Sequence, residues 1–197
     1  MNSELRDKWD RVYAGDQHGF FPPCMVLKRQ SFLLPRHGRA LDLACGLGRN
    51  AIYLCRQGLE THAWDISTEA IRKLDNYAQH EGLNIRAEVR DIATTPPDEN
   101  SFDVIVVSHF LERSLMPSLP AALTAGGLLF YQTFTRLKVN DIGPTNPDYL
   151  LKSNELLQTF ADLEVLFYSD NADAGDLEQG IRNEAMIVVR KPDPGNG

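Results

Sequence analysis

Two periodicities alternate along this chain. Short, mostly apolar runs, the pattern of strands buried in a parallel sheet, fall at Ala40–Ala44, Glu60–Trp64, Asn84–Val89, Phe102–Val107 and Leu128–Thr133. Two more follow at Leu163–Tyr168 and Ala185–Arg190, and Phe102–Val107 is the clearest of all. Between them lie stripes at helical spacing. Asn50–Gln57 places Ala51, Ile52, Leu54 and Cys55 on one face, with Gly58 as its stop. A helix capped by Ser67 runs to about His80 on Ala70, Ile71, Leu74 and Tyr77 or Ala78, and Glu81-Gly82 closes it. A third, capped by Ser153, carries Leu156, Leu157 and Phe160. Strands that alternate with helices predict an α/β fold, a doubly wound and mostly parallel sheet of seven strands.

Some stretches break the alternation. Thr94–Asn100 is too rich in proline for a helix, so one crossover is expected to be a loop. Pro117 and Pro120 make the helix over Ser114–Leu123 irregular, and Ala125-Gly126-Gly127 reads as a turn. Arg136–Tyr149 and Ser169–Glu184 read as long loops. Ahead of the sheet, Ser3–Ala14 is a predicted helix with Ser3 as N-cap and Leu5, Trp9 and Val12 or Tyr13 on one face. A second helix is expected from Pro23 to about Leu34, closed by Pro35. Residues 1–36 therefore form a helical cap outside the sheet.

Composition narrows the function classes. A chain of 197 residues suits one α/β domain over 1–197, with a frayed tail at 191–197. With 20 basic and 27 acidic residues the net charge is −7, which argues against a nucleic acid as partner. No apolar run reaches the ~18 residues of a membrane span, and the charged N-terminus lacks the apolar core of a signal peptide. Cys24, Cys45 and Cys55 are odd in number and have no metal-ligand spacing. They read as reduced thiols of a cytoplasmic protein with no metal site. The sequence leaves the oligomeric state open, and a monomer is compatible with it.

The chemistry concentrates in Arg39–Ser67. A strand, the turn Cys45-Gly46-Leu47-Gly48, a helix and a second strand ending at Asp65 form a nucleotide-binding half. Glycines let a ligand approach the backbone, and a carboxylate at the end of the second strand can accept from both ribose hydroxyls. The dinucleotide fingerprint needs Gly-x-Gly-x-x-Gly, whereas this turn reads Ala44-x-Gly46-x-Gly48-x-Asn50. A ligand with adenosine, no phosphates and an amino-acid tail fits better than a pyrophosphate.

Asp42-Leu43-Ala44-Cys45-Gly46-Leu47-Gly48-Arg49-Asn50 resembles the first motif of class I S-adenosylmethionine-dependent methyltransferases. Its Gly-Arg-Asn ending is similar to the tellurite-resistance methyltransferases, and Ala44 stands where the family usually has glycine. The resemblance covers nearly the whole chain as fold, but only Asp42–Asp65 is specific in residue detail. It implies a Rossmann-like sheet whose final strand runs antiparallel, with S-adenosylmethionine as cofactor. It also implies cofactor contacts from Asp42, Ala44, Gly46, Gly48, Asn50, Asp65 and Ile66. Asp91 is implied at the adenine amino group, with Ile92 on the ring and Ser108 beside the methyl. Trp9-Asp10-Arg11-Val12-Tyr13 is similar to a signature that places Tyr13 over the cofactor.

His109 is the histidine expected near the reacting methyl, as base, hydrogen-bonder or wall, and Arg182 and Arg136 are candidates for orienting an anion. The resembled tellurite enzymes carry a His-Arg pair before the final strand. This chain has Glu178-Gln179 there with Arg182 nearby, which argues against carrying tellurite or selenite over as substrate. The expected acceptor is a small molecule, more a soft sulfur or chalcogen nucleophile than a polymer. A lid from Tyr13, Phe20 and Phe21 would keep its site dry. The alternatives are a non-catalytic cofactor-binding or scaffold protein and, disfavoured by the missing third glycine, a nicotinamide-dependent oxidoreductase.

Overall fold

The computed structural model describes residues 2–15, 22–193 and 195. Phe20 and Phe21, expected in a lid, lie outside the described residues. The chain builds β1 (Arg39–Leu43), β2 (Glu60–Asp65), β3 (Ile85–Val89), β4 (Phe102–Ser108), β5 (Leu123–Phe134), β6 (Glu164–Asp170) and β7 (Glu184–Arg190). Around them lie α1 (Ser3–Gly15), α2 (Met25–Arg29), α3 (Arg49–Arg56), α4 (Thr68–Glu81), α5 (Ser118–Ala122) and α6 (Glu155–Thr159). The strands form one seven-stranded sheet in the order β3-β2-β1-β4-β5-β7-β6. Strands β3 to β5 are mutually parallel, and β7 runs antiparallel to both β5 and β6.

The order reverses between β1 and β4, so the carboxyl ends of those strands open a crevice, the usual ligand position in such sheets. Parallel register brings Leu43 level with Trp64 and Val107, and Ser108 level with Gln132. The residues just beyond these ends thus meet at one edge of the molecule. The core has two sides. Leu41, Leu43, Ile105, Leu129 and Ile187 pack with Phe102, Leu119 and Phe160 on one face of the sheet. Ala40, Val104, Val106, Phe130 and Val188 pack with Val26, Leu27 and Leu54 on the other. Adjacent residues of one strand supply opposite faces, which is why β1 and β4 read as unbroken apolar runs.

Several boundaries differ from the sequence reading. The first helix starts at Ser3 itself, and Asn2 is the cap, its Oδ1 accepting from Leu5 N at 3.2 Å. The Pro23–Leu34 segment is helical only at Met25–Arg29, followed by a 3-10 turn at Ser31–Leu33. Its leading N–H groups bond outward, to α3 and to the sheet: Cys24 N donates to Asn50 Oδ1 and Val26 N to Gln132 Oε1, both at 2.8 Å. Ser31 Oγ bonds back to Lys28 O at 3.2 Å, competing with the helix ladder. The helix expected over Ser114–Leu123 shrinks to α5, with Pro117 at its N-cap.

Gly126-Gly127 is not a turn between elements but an irregularity inside β5. The pairing register of β4 and β5 shifts there, between Phe102 and Val104. The last helix begins after Asn154 rather than Ser153, and Glu155 Oε2 accepts from Lys152 N at 2.7 Å. Lys191, read as the start of the frayed tail, is anchored, with Nζ donating to Leu123 O at 2.6 Å and Asn100 Oδ1 at 3.0 Å. The proline-rich crossover is a loop. Arg90 pins it by stacking 3.8 Å from the Trp64 ring centroid and donating to the carbonyls of Thr95 and Pro96. Among the described residues, no helix is long and apolar enough to cross a membrane, and no His, Cys, Asp and Glu cluster could hold a metal.

Candidate functional site

The turn after β1 sets the floor of the crevice. Ala44 takes φ +56 and Gly46 and Gly48 take φ +52 and +77, so the chain reverses tightly before α3. A Cβ on Gly48 would sit 2.5 Å from Leu74 Cδ1, so α4 packs too closely to admit a side chain. A Cβ on Gly46 would meet the Tyr13 hydroxyl at 2.7 Å. Tyr13 therefore closes over the face of the turn where the backbone is bare. Ala44 holds a left-handed conformation that costs an L-residue about 1–2 kcal/mol. Replacing it with glycine removes that strain but restores roughly 0.4–1 kcal/mol of unfolded-chain freedom. Ala44→Gly should therefore raise stability by up to ~1.6 kcal/mol, a Tm gain of at most about 3–6 °C in a chain of this size. A lower Tm in a thermal melt would show that the strain is not there.

Asp65 ends β2 and is buried. Its Oδ2 accepts from Gly46 N at 2.8 Å and its Oδ1 from Ser67 N at 2.9 Å. Each oxygen keeps a further lone pair, so the carboxylate is fixed in orientation and can still accept from a diol. Burial raises its pKa, against the pull of these backbone bonds. Asp42, fully buried beneath the turn, accepts from Ala51 N at 3.0 Å and Asn50 Nδ2 at 3.1 Å. It caps α3, whose own N-cap, Gly48, has no side chain. Burial pushes its carboxyl up to about 7, with the Asn50 and Ala51 bonds pulling the other way. Asn50 Nδ2 also donates to Ser108 Oγ at 2.9 Å. Asp42 and Asn50, both buried, and Ser108, half-buried, thus form one brace tying β1, α3, β4 and the Cys24 backbone beneath the crevice.

The roof is α1. Asn2 N donates to Asp91 Oδ2 at 3.0 Å. Asp10 Oδ1 accepts from Ser67 Oγ at 2.6 Å and Glu69 N at 3.0 Å. Lys73 Nζ donates to the Tyr13 and Ala14 carbonyls at 2.6 and 3.2 Å. Trp9 stacks on Tyr13 with centroids 5.8 Å apart. The helix thus runs across the crevice from the Asp91 end to the Gly46 end. Asp91 is buried, and Ile92 joins the main core cluster beside Leu43 and Trp64. Ile66 is half-buried.

At the far side, His109 stands at φ +53 just past β4. Its Nδ1 lies 2.7 Å from Arg49 Nη2 and its Nε2 2.9 Å from Glu184 Oε1. A guanidinium only donates and a carboxylate only accepts, so the ring carries its proton on Nε2 and offers the Nδ1 lone pair to Arg49. Glu184 also accepts from the Gln132 amide. Burial would raise the Glu184 carboxyl, but the bonds from His109 and Gln132 and the nearby Arg49 charge hold it low. Phe134 lies 5.0 Å from the His109 ring and Tyr149 lies 6.0 Å from the Lys8 ammonium, adding aromatic faces.

Arg182 does not join this group. Its guanidinium donates to the carbonyls of Gln179, Asn171, Ala172, Ala174 and Asp176 at 2.6–3.2 Å, stapling its own loop. Arg136 bonds to Pro147 O at 3.3 Å and is exposed. The residues the sequence reading missed are Glu184, Gln132, Asp10 and Arg49. Two of them carried a local signal: Arg49 as the middle residue of the Gly-Arg-Asn ending, and Asp10 as the acid of the Trp9-Asp10-Arg11-Val12-Tyr13 signature.

The chain is similar to known proteins in sequence and in fold. A probable S-adenosyl-L-methionine-dependent methyltransferase TehB of Haemophilus influenzae is 31% identical over 160 residues, 77% of this chain and 54% of the relative. This chain therefore spans about half the length of that protein. A ubiquinone biosynthesis O-methyltransferase of Actinobacillus pleuropneumoniae is 27% identical over 85% of this chain and 82% of its own length. Among solved structures, TehB from Haemophilus influenzae superposes with a TM-score of 0.67 at 27% identity, covering 94% of this chain and 66% of that one. The [4+2]-cyclase SpnF shares the fold, with a TM-score of 0.71 at 17% identity over 98% of this chain and 97% of its own. The family described as tellurite resistance protein TehB matches residues 28–191, from the end of α2 through β7, and so takes in the turn, Asp65, Asp91, His109 and Glu184. By that match, this chain belongs to the TehB family.

Proposed function

We propose that this chain transfers a methyl group from S-adenosylmethionine to a small acceptor, a soft sulfur or chalcogen nucleophile. Asp65 would hold the ribose hydroxyls, its two oxygens already oriented by Gly46 N and Ser67 N. Asp91 would take the adenine amino group, since among the described residues Oδ2 alone has a partner. Ile66 and Ile92 would flank the ring, and the turn Ala44–Gly48 and Tyr13 would enclose the amino-acid tail. Asn50, at the start of α3, keeps its side chain buried in the brace beneath the turn. When bound, the cofactor supplies a sulfonium methyl, an electrophile that needs alignment more than activation.

The observation that carries the acceptor class is His109. Both ring nitrogens are engaged, Nδ1 by Arg49 and Nε2 by Glu184, so no imidazole lone pair faces the crevice as a general base. A hydroxyl acceptor needs such a base, and a thiol does not, because it loses its proton to solvent. The acceptor thiolate forms a carbon–sulfur bond to the methyl as the sulfonium's carbon–sulfur bond breaks and the electron pair leaves on the sulfide. S-adenosylhomocysteine release from panels of thiols, alcohols and polymers tests this. Thiols should turn over, and His109→Ala should slow a saturating thiol by less than the roughly 10²–10⁴-fold that loss of a general base costs. A loss in that range, or efficient methylation of RNA or protein, would contradict the reading.

A further inference from the structure

We infer that Arg49 binds the anionic group of the methyl acceptor, and that the acceptor is a small thiol bearing a carboxylate; this rests on the methyl-transfer reading above. Arg49 opens α3 at the reversal point of the sheet and is half-buried. A guanidinium has five N–H donors in a planar fork. Among the described residues its one hydrogen-bond partner is His109 Nδ1. The carboxylates of Asp42 and Glu184 are close enough to feel its charge, but neither forms an ion pair with it among the described residues. Other arginines are used up differently. Arg113 is bidentate on Glu155, Arg72 pairs with Glu69, Arg190 with Glu164, and Arg182 is filled by carbonyls.

The partner chosen for Arg49 matters. A carboxylate at the same place would neutralise the cation. The neutral His109 ring fixes its direction and leaves the charge available. That ring is itself held: Glu184 accepts from Nε2, Gln132 donates to Glu184, and Gln132 Oε1 accepts from Val26 N. His109 and Glu184 are therefore positioning residues for the guanidinium, whose fork matches a carboxylate bidentately. A carboxylate has two sources here, the acceptor and the cofactor's own methionine tail. The direction across the sheet favours the acceptor. Asp65 lies on β2, whereas the residues that aim the guanidinium, His109 just past β4 and Glu184 on β7, lie on the other side of β1 from the ribose end.

The test pairs 3-mercaptopropionate with the neutral 3-mercaptopropanol. The parent's kcat/KM should favour the carboxylate by about tenfold or more, the value of a charge-assisted bond. Arg49→Ala should remove that preference, and Arg49→Lys should restore part of it. His109→Ala should raise KM for 3-mercaptopropionate more than it lowers kcat, a split that a merely structural role would not give. Calorimetry with S-adenosylhomocysteine and with 5′-methylthioadenosine, which lacks the tail, separates the sources. Arg49→Ala should bind both as the parent does. A tenfold loss confined to S-adenosylhomocysteine would place the guanidinium on the cofactor tail and overturn the inference. So would a parent that binds S-adenosylhomocysteine yet shows no carboxylate preference or turns over neither thiol. A parent that does not bind S-adenosylhomocysteine at all would instead overturn the methyl-transfer reading.

Discussion

Asp65→Ala should weaken binding of S-adenosylhomocysteine at least tenfold. Each hydrogen bond to a charged group is worth roughly 1.5–3 kcal/mol, and a ribose diol would make two. The same carboxylate also satisfies Gly46 N and Ser67 N, so the variant strands two buried donors at about 1–3 kcal/mol each. The apo variant should therefore melt below the parent, and affinity should be measured by calorimetry well under that melt. A pH dependence accompanies this. Burial raises the Asp65 pKa, and hydroxyl donors favour the ionised form. Affinity should then fall as pH drops through that raised pKa and level off above it. In Asp65→Ala this dependence should vanish. An Asp65→Ala protein that binds as the parent does, with the parent's pH profile, would remove the carboxylate from the site.

Gly46→Val should abolish binding. The position sits at φ +52, where a β-branched residue is an outlier costing of the order of 1–3 kcal/mol. Its Cβ would press on the Tyr13 hydroxyl at 2.7 Å and fill the bare backbone face. Two effects are separable: a lower Tm from the backbone, and loss of cofactor response from the filled face. Gly46→Ala should keep more stability and still bind poorly. Cofactor affinity equal to the parent's in either variant would mean that no ligand approaches the turn.

The central parallel strands were legible because each is buried on both faces and so reads as a continuous apolar run; Phe102–Val107 extends by one residue to Ser108. The boundaries of α4 were legible because both caps are local. Ser67 Oγ accepts from Ala70 N, and Gly82 at φ +65 stops the helix. The start of β5 was not, because a bulge built on Gly126-Gly127 has the composition of a turn. The N-terminal segment misled for a different reason. Its conformation is set by Asn50 and Gln132, which lie 26 and 106 positions from the N–H groups they hold. The turn and Asp65 were legible together because the unit that joins them is contiguous. The His109 partner Glu184 is 75 residues away on an antiparallel strand, and no local pattern announces it. Arg182 looked available in a polar loop, and only the folded loop shows its guanidinium filled by main-chain carbonyls.

The claim that the crevice between β1 and β4 is built for adenosine with an amino-acid tail, and not for a dinucleotide, is tested most directly by calorimetric titration of the parent protein. S-adenosylhomocysteine should bind and raise the Tm by mass action, and NAD should do neither. Binding of NAD with no response to S-adenosylhomocysteine would contradict it.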